Sequence, residues 1–220
     1  MERPSRGRFE FDRAEVWADG IIHGLGVLFA LAAVGILVAA TVPARESSEL
    51  VPILVYGIAL VTVLVISAIY NMWPVSPVKW FLRRFDHAAI YVLIAATYTP
   101  FLTRLSDDML TLVMLGLVWI ASLVGIVLKI ALPGRFDRLS IGLYLLIGWS
   151  GVVLWDRILL LPSTSLWLLA AGGLLYTIGV IFYVWENLRF QTAIWHAFVL
   201  VAAVCHYGAV FHTAVLAPGA

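Results

Sequence analysis

The sequence predicts an all-α, polytopic membrane protein: a bundle of seven transmembrane helices with a cytoplasmic N-terminus. The 220 residues are 63% hydrophobic and only 12% charged, so there are too few charges to cover the surface of a soluble domain. The apolar residues also fall into seven stretches, each close to the length of about 20 residues that a bilayer requires. The distribution of lysine and arginine along the chain predicts the orientation.

Each apolar stretch ends at residues that are unfavourable in a membrane helix. The first ends before Pro43, the second before Pro74, and the fourth at Pro133 and Gly134. The connections are short, and backbone polar groups in lipid must be satisfied within their own segment, so all seven stretches are predicted to be helices. The predicted spans are residues 20–42, 50–72, 85–102, 109–132, 139–155, 165–185 and 192–216.

The chain is therefore divided into a cytoplasmic segment, residues 1–19, and a seven-helix membrane domain, residues 20–216. The N-terminus is charged and lacks an apolar core region, so no cleavable signal peptide is expected. The single cysteine, Cys205, excludes an intramolecular disulfide and a cysteine zinc cluster. The net charge of +1 gives no reason to expect a nucleic-acid partner, and membrane lipids are the expected partners. The oligomeric state stays open.

Lysine and arginine are concentrated on one side of the predicted bundle. Eleven fall in the N-terminal segment and in the loops on its side of the membrane, and three fall on the other side. Because cytoplasmic loops carry the excess of basic residues, the N-terminus is predicted to be cytoplasmic and the C-terminus extracytoplasmic. The eleven are Arg3, Arg6, Arg8, Arg13, Lys79, Arg83, Arg84, Lys129, Arg135, Arg138 and Arg189, and the three are Arg45, Arg104 and Arg157.

Polar side chains of four predicted helices converge on one membrane depth. They are Asp19 and His23 on the first, Ser67 and Asn71 on the second, Asp86 and His87 on the third, and Thr192 and His196 on the seventh. Three of these pairs are four residues apart, so each of the three shares one helix face, and the four helices are expected to converge on a pocket in the cytoplasmic half. Ionisable residues inside membrane helices are candidates for function. His206 lies ten residues beyond His196, about 15 Å deeper, and His212 lies at the far interface.

Several of these residues also have a purely structural interpretation. Thr192 is well placed to be the N-cap of the seventh helix, and Ser67 can bond a carbonyl one turn back. Asp86 can act as a first-turn acid favoured by the helix dipole, or pair with Arg83 or Arg84.

The residues resemble one known family over nearly the whole chain, from residue 15 to about residue 210. The segments EVWADGIIHGLG, SAIYNM, FLRRFDHAAIYVLIAATYTPFL, LLAAGGLLYTIGVIFYVWE and TAIWHAFVLVAAV are similar to those of the hemolysin III proteins. These form the bacterial branch of the progestin and adipoQ receptor group. The resemblance implies a seven-helix bundle with a cytoplasmic N-terminus, in agreement with the charge distribution.

The wider superfamily, which includes the alkaline ceramidases, implies a zinc-dependent hydrolysis of lipid amides. Its signature is Ser-x-x-x-His on the second helix, an Asp on the third and His-x-x-x-His on the seventh. Ser67, Asp86 and His196 match this signature, whereas Asn71 and Thr192 stand where two of the three histidine ligands belong. By this resemblance Ser67 and Asp86 are the candidate catalytic residues. His196 is the one retained metal ligand, and an amide and a hydroxyl are poor substitutes for imidazole on zinc.

Two interpretations of the pocket stay open. In one, the pocket holds no metal, and hydrogen bonds join Ser67, Asn71, Asp86, Thr192 and His196. In the other, a substitute metal site forms from Asp19, His23, Asp86 and His196, which requires the first helix to approach the third and the seventh.

Three functions follow from these alternatives. The first is a role in membrane lipid homeostasis with a degenerate zinc site; the family name also implies cytolysis, although no predicted helix carries the continuous polar stripe of a channel. The second is a zinc-dependent hydrolase of lipid amide or ester bonds. The third is a receptor for a lipophilic ligand.

Overall fold

The computed structural model describes residues 11–43, 46–105 and 109–217. All regular structure in these ranges is helical. The basic residues Arg3, Arg6, Arg8 and Arg45, and the first ten residues of the predicted cytoplasmic segment, lie outside the described ranges. The helices are α1 (Arg13–Thr41), α2 (Ser47–Met72), α3 (Pro77–Arg104), α4 (Met109–Ala131), α5 (Asp137–Trp149), a 3₁₀ segment (Ser150–Leu154), α6 (Trp155–Ile158), α7 (Ser163–Val184), α8 (Gln191–Phe211) and a π-helical turn (His212–Leu216).

Six segments of the described chain are long and apolar enough to cross a membrane, so the protein is a multi-pass membrane protein. α5, the 3₁₀ segment and α6 together make one of them, and α8 continues into the π-helical turn to make another. The six are Arg13–Thr41, Glu49–Met72, Met109–Ala131, Leu139–Ile158, Ser163–Val184 and Gln191–Leu216. Their outward faces expose large apolar side chains such as Leu28, Ile58 and Val127. Such a surface is unfavourable in water and suits lipid.

α3 is long but is not among these six segments, because its first ten residues include Lys79, Arg83, Arg84 and Asp86. It nevertheless occupies the centre of the bundle, in contact with α2, α4, α5 and α8. Its contact with α4 depends on a glycine: a Cβ at Gly125 would lie 2.3 Å from the ring of Tyr91. The small residue therefore lets a fully buried aromatic ring lie against the α4 backbone.

Two helices begin a full turn or more earlier than the hydropathy predicted. The first span was predicted to start at Gly20, but α1 starts at Arg13 because Asp12 and Glu15 form a capping box. The third was predicted from Phe85, but α3 starts at Pro77, where the Ser76 side chain accepts a hydrogen bond from the backbone of Lys79. In both cases polar capping residues extend the helix beyond its apolar part, so residues 13–19 of the predicted cytoplasmic segment are helical.

The prediction that Thr192 caps the seventh span is wrong. The N-cap of α8 is Phe190, which adopts a left-handed conformation with φ 59°, and Thr192 is the second residue of the helix. Its hydroxyl donates to Oε1 of Gln191 at 3.3 Å. The first turn of α8 is instead fixed by a side chain of α1, as described below.

Candidate metal centre

Three of the converging side chains form a compact group between the first and last helices. Nδ1 of His196 lies 2.6 Å from Oδ1 of Asp19, and Nε2 of His23 lies 3.6 Å from Oδ2 of the same carboxylate. The two imidazole rings are 4.3 Å apart at their centroids. One ligand atom from each residue lies within 4.8 Å of the other two. We call Asp19, His23 and His196 the triad.

The triad is buried and incompletely hydrogen bonded. Asp19 is 7% exposed and His23 is 6% exposed. Nε2 of His23 is buried with no hydrogen-bond partner among the described residues, since 3.6 Å to Asp19 is too long for a hydrogen bond. A buried polar atom without a partner is costly, so this nitrogen is suited to an additional ligand.

Hydrogen bonds of the Glu15 side chain join the N-terminal ends of α1 and α8, one turn of α1 away from Asp19 of the triad. We call this contact the clamp. Glu15 is 4% exposed; its Oε1 accepts from the backbone N–H of Phe190 at 2.9 Å, and its Oε2 accepts from that of Asp12 at 2.9 Å. The backbone N–H of Glu15 donates in turn to Asp12, and this bond lowers the pKa of the Asp12 carboxyl. Glu15 thereby compensates for the unusual conformation of Phe190 and sets the position of α8 against α1.

The triad lies at one end of a cavity of about 530 Å³ inside the bundle. Most of its wall is apolar and comes from α2, α3, α5, α7 and α8. Ser67 and Asp86 line this cavity together with His23 and His196. The cavity therefore joins an apolar chamber to a cluster of groups that can bind a metal or transfer protons.

The structure supports one of the two predicted pockets more than the other. Three members of the substitute metal site, Asp19, His23 and His196, are brought together as that interpretation requires. The fourth, Asp86, lines the cavity but is not a member of the group.

The hydrogen-bond network of the metal-free interpretation is present only in part. Nδ2 of Asn71 donates to the backbone oxygen of Ser67 at 3.0 Å and to its hydroxyl at 3.3 Å. Thr192, however, donates to Gln191, and His196 pairs with Asp19. Asn71 and Thr192, at the positions of the family's histidine ligands, therefore make local hydrogen bonds near their own helix ends.

A second charged cluster was not predicted from the sequence. Asp137, in the first turn of α5, lies 2.5 Å from Nη2 of Arg83 and 2.9 Å from Nζ of Lys129. The prediction that Asp86 pairs with Arg83 or Arg84 is therefore replaced by an Arg83–Asp137 ion pair. His87 lies between the two acids, 4.0 Å from Asp86 and 4.0 Å from Asp137.

The donor set of the triad fits zinc. Two imidazoles and one carboxylate, with a further position open, are a common ligand set of catalytic zinc sites. Donor atoms around tetrahedral zinc lie roughly 3.4 Å apart. The 3.6 Å between His23 and Asp19 is close to this spacing, whereas the 2.6 Å between His196 and Asp19 is the distance of a hydrogen bond. The orphaned nitrogen of His23 supplies the structural reason for a further ligand. The triad thus brings two candidate metal ligands from α1, Asp19 and His23, beside His196 of α8.

Comparison with known proteins identifies the family. The profile of the family described as haemolysin-III related matches residues 11–207, a range that includes the triad, Ser67 and Asp86. The chain belongs to the haemolysin-III-related family. A hemolysin-3 homolog of Bacillus subtilis (strain 168) is 34% identical over 209 residues, covering 94% of this chain and 98% of the relative.

Two further relatives also match most of the chain. Hemolysin-3 of Bacillus cereus is 35% identical over 195 residues, covering 87% of each chain. The human monocyte to macrophage differentiation factor is 29% identical over 165 residues, covering 71% of this chain and 68% of the relative. The resemblance to hemolysin III proteins that the sequence motifs indicated is thereby confirmed.

Proposed function

We propose that this haemolysin-III-related protein is a zinc-dependent hydrolase of amide or ester bonds in membrane lipids. One observation carries the proposal: the buried triad of Asp19, His23 and His196 lies at the polar end of an apolar cavity of about 530 Å³. A metal site alone would suit many proteins, and an apolar cavity alone would suit a receptor. Their combination suits a reaction at the polar end of a molecule whose hydrocarbon chain is held in the cavity.

The residues at the polar end have complementary roles. Asp19, His23 and His196 would hold the zinc ion, which acts when bound as a Lewis acid on a carbonyl oxygen. Asp86 is placed on the same cavity wall, where its carboxylate accepts a proton from the attacking water. Ser67, which lines the cavity with Asp86, donates a hydrogen bond to the lipid carbonyl. The apolar wall excludes bulk water, which strengthens these interactions.

We further propose that α3 is the third of seven spans and that the N-terminus is cytoplasmic. The helix has 28 residues and is about 42 Å long at the usual rise, sufficient to cross a bilayer. Its polar first turns lie beside Lys129 and Asp137, so neighbouring helices shield the charges from lipid. The eleven-to-three distribution of basic residues supports the cytoplasmic N-terminus.

Elemental analysis of the purified full chain tests the metal site. We expect about one zinc ion per chain, and its loss in the His23→Ala and His196→Ala variants. His212→Ala is the matched control, because His212 lies at the other end of α8 beside Ser165 and its removal leaves the zinc content unchanged. Wild-type protein free of zinc after purification and zinc reconstitution would refute the proposed site.

A lipid-hydrolysis assay tests the chemistry separately. The substrate is a long-chain acyl amide with a fluorogenic amine, presented in mixed micelles. Asp86→Asn is expected to retain zinc and to lose at least about 100-fold in kcat, the usual contribution of a general base. An Asp86→Asn enzyme with unchanged kcat would remove Asp86 from the proposed role.

The alternative function is a role in lipid homeostasis without catalysis. Asn71 and Thr192, at the family's ligand positions, favour it. An Asn71→His, Thr192→His double variant separates the two functions. Zinc bound only by the double variant would mean that the family site has been lost, whereas zinc bound by the wild type supports the triad.

A further inference from the structure

A second polar pair lines the cavity farther from its polar end. The rings of Tyr176 on α7 and His206 on α8 are 5.5 Å apart at their centroids and tilted by 54°. Both residues line the cavity that also reaches the triad. The two side chains are polar groups in a mostly apolar wall. Their free hydrogen-bonding atoms therefore decide which ligand groups fit in that part of the cavity.

Much of the hydrogen-bonding capacity of this pair is unused. Nε2 of His206 contacts the backbone oxygen of Leu169 at 3.4 Å, longer than the usual range of a hydrogen bond. Among the described residues, neither the Tyr176 hydroxyl nor Nδ1 of His206 has a hydrogen-bond partner, and neither belongs to the fully buried unpartnered atoms. Both atoms therefore keep accessible surface within the cavity wall, where a ligand can reach them.

The position of the imidazole depends on a glycine. A Cβ at Gly172 would lie 2.4 Å from Cδ2 of His206 and 2.6 Å from Nε2. Any larger residue at this position would displace the ring. The α7 backbone thus holds the imidazole against the wall, beside Tyr176.

The distance between His206 and the triad defines the length of a ligand that contacts both. His206 lies ten residues beyond His196 on the same helix, or about 15 Å along its axis. An extended chain gains about 1.2 Å per bond, as a peptide backbone does, so 15 Å corresponds to roughly twelve bonds.

We propose that Tyr176 and His206 form a subsite for a hydroxyl or carbonyl group on the hydrocarbon chain of the lipid, about twelve carbons from the group held at the triad. The inference rests on the proposed function, because it takes the lipid's reacting group to lie at the triad. An unsubstituted chain leaves both polar atoms without partners in an apolar chamber, whereas a chain oxygen at this depth can bond to them. The subsite thus selects mid-chain oxygenated lipids.

Fatty acids that differ only in one hydroxyl test the subsite. Full-length protein in detergent micelles is titrated with octadecanoic acid, 12-hydroxyoctadecanoic acid and 2-hydroxyoctadecanoic acid by calorimetry. We expect the 12-hydroxy acid to bind roughly threefold to tenfold more tightly than the other two, the factor that one net hydrogen bond supplies. Tyr176→Phe and His206→Leu are expected to abolish that preference without weakening the binding of octadecanoic acid.

Tyr207→Phe is the matched control. Its hydroxyl donates to the backbone oxygen of Ala33 at 2.8 Å, away from the cavity wall, so the variant retains the preference. Equal binding of the three acids by the wild type would overturn the subsite and leave the proposed function intact. A preference that persists in both cavity variants, or that favours the 2-hydroxy acid equally, would also overturn it. Failure to bind any of the acids would refute the lipid cavity itself, and the subsite with it.

Discussion

At the scale of single residues, the site depends on contacts between side chains that are far apart in the sequence. Asp19 and His23 are four residues apart, so their common helix face was predictable. Their contact with His196 was expected in only one of the two interpretations of the pocket, because it depends on how closely α1 and α8 pack, and residue spacing within one helix carries no information on that. Glu15 was missed altogether, although Asp12-x-x-Glu15 is a recognisable capping-box pattern.

Glu15 is expected to be important for stability although it lies outside the triad. Glu15→Ala leaves the backbone N–H groups of Phe190 and Asp12 without their acceptor, and we expect a loss of about 2–3 kcal/mol in the free energy of unfolding. Glu15→Gln keeps one acceptor oxygen and is expected to lose about half as much. Denaturant unfolding in detergent micelles measures both.

The control for Glu15 is Asp156→Ala, which removes an exposed acid from α6 and is expected to change stability by less than about 0.5 kcal/mol. If Glu15→Ala were as stable as this control, the clamp between α1 and α8 would have no energetic role.

At the scale of elements, the fifth span departs most from its prediction. It was predicted as one helix over residues 139–155, but the α-helix stops at Trp149 and a 3₁₀ segment follows. Hydropathy did not reveal the break, because the residues of the α-helical part and those of the 3₁₀ segment are equally apolar. The hydroxyl of Tyr98, on α3, satisfies the interrupted backbone: it donates to the oxygen of Gly148 at 2.7 Å and accepts from the N–H of Gly151 at 2.8 Å.

Tyr98→Phe is expected to destabilise the protein by about 1–3 kcal/mol, because backbone groups that lose their partner in lipid find no water to replace it. Thermal unfolding in micelles measures the change. Tyr56→Phe serves as the control, because it removes from α2 a buried hydroxyl that has no hydrogen-bond partner among the described residues. A melting temperature for Tyr98→Phe equal to that of the control would show that the 3₁₀ segment does not need this hydroxyl.

The Asp137 cluster predicts how stability depends on pH. Burial favours the neutral carboxyl, but hydrogen bonds from Lys129 and Arg83 and their charges prevail and hold the pKa of Asp137 well below its usual range. A carboxyl with a depressed pKa stabilises the folded state above its unfolded pKa, and that stabilisation is lost as pH falls toward the folded pKa. The melting temperature should therefore decline as pH falls below about 4, and less steeply in Asp137→Asn.

The test compares thermal melts of wild type and Asp137→Asn at several pH values in one detergent. The variant is expected to be less stable than the wild type at neutral pH and to approach it in acid. Parallel curves for the two proteins would mean that the ion pairs joining α3, α4 and α5 contribute nothing to the acid sensitivity.

At the scale of the whole molecule, most of the architecture was predictable from the sequence. Six apolar segments match predicted spans, and the helix ends at Met72 and Met109 agree with the structure. The central helix was harder to assign, because α3 is shielded by protein over much of its length and tolerates polar residues that a lipid-facing helix would exclude. Polar residues that lower the mean hydropathy of a helix can therefore indicate that the helix lies at the centre of a bundle.

The proposed topology predicts the location of every loop. A reporter active only in the cytoplasm, fused after residue 134 or 188, should be active. The same reporter fused after residue 105 or 161 should be silent. A seven-span protein also places the C-terminus opposite the N-terminus, whereas six spans would place both on one side, so a fusion at residue 217 distinguishes the two counts.

The contact between Asp19 and His196 joins residues separated by 177 positions in the chain, on the first and last long helices. During synthesis the ribosome must therefore release nearly the whole polypeptide before this contact can form. A nascent chain that ends between His23 and His196 contains Asp19 and His23 without the third triad residue. A prematurely terminated product can be inserted in the bilayer and still lack the complete triad, so the proposed metal site forms only after the last long helix has been made.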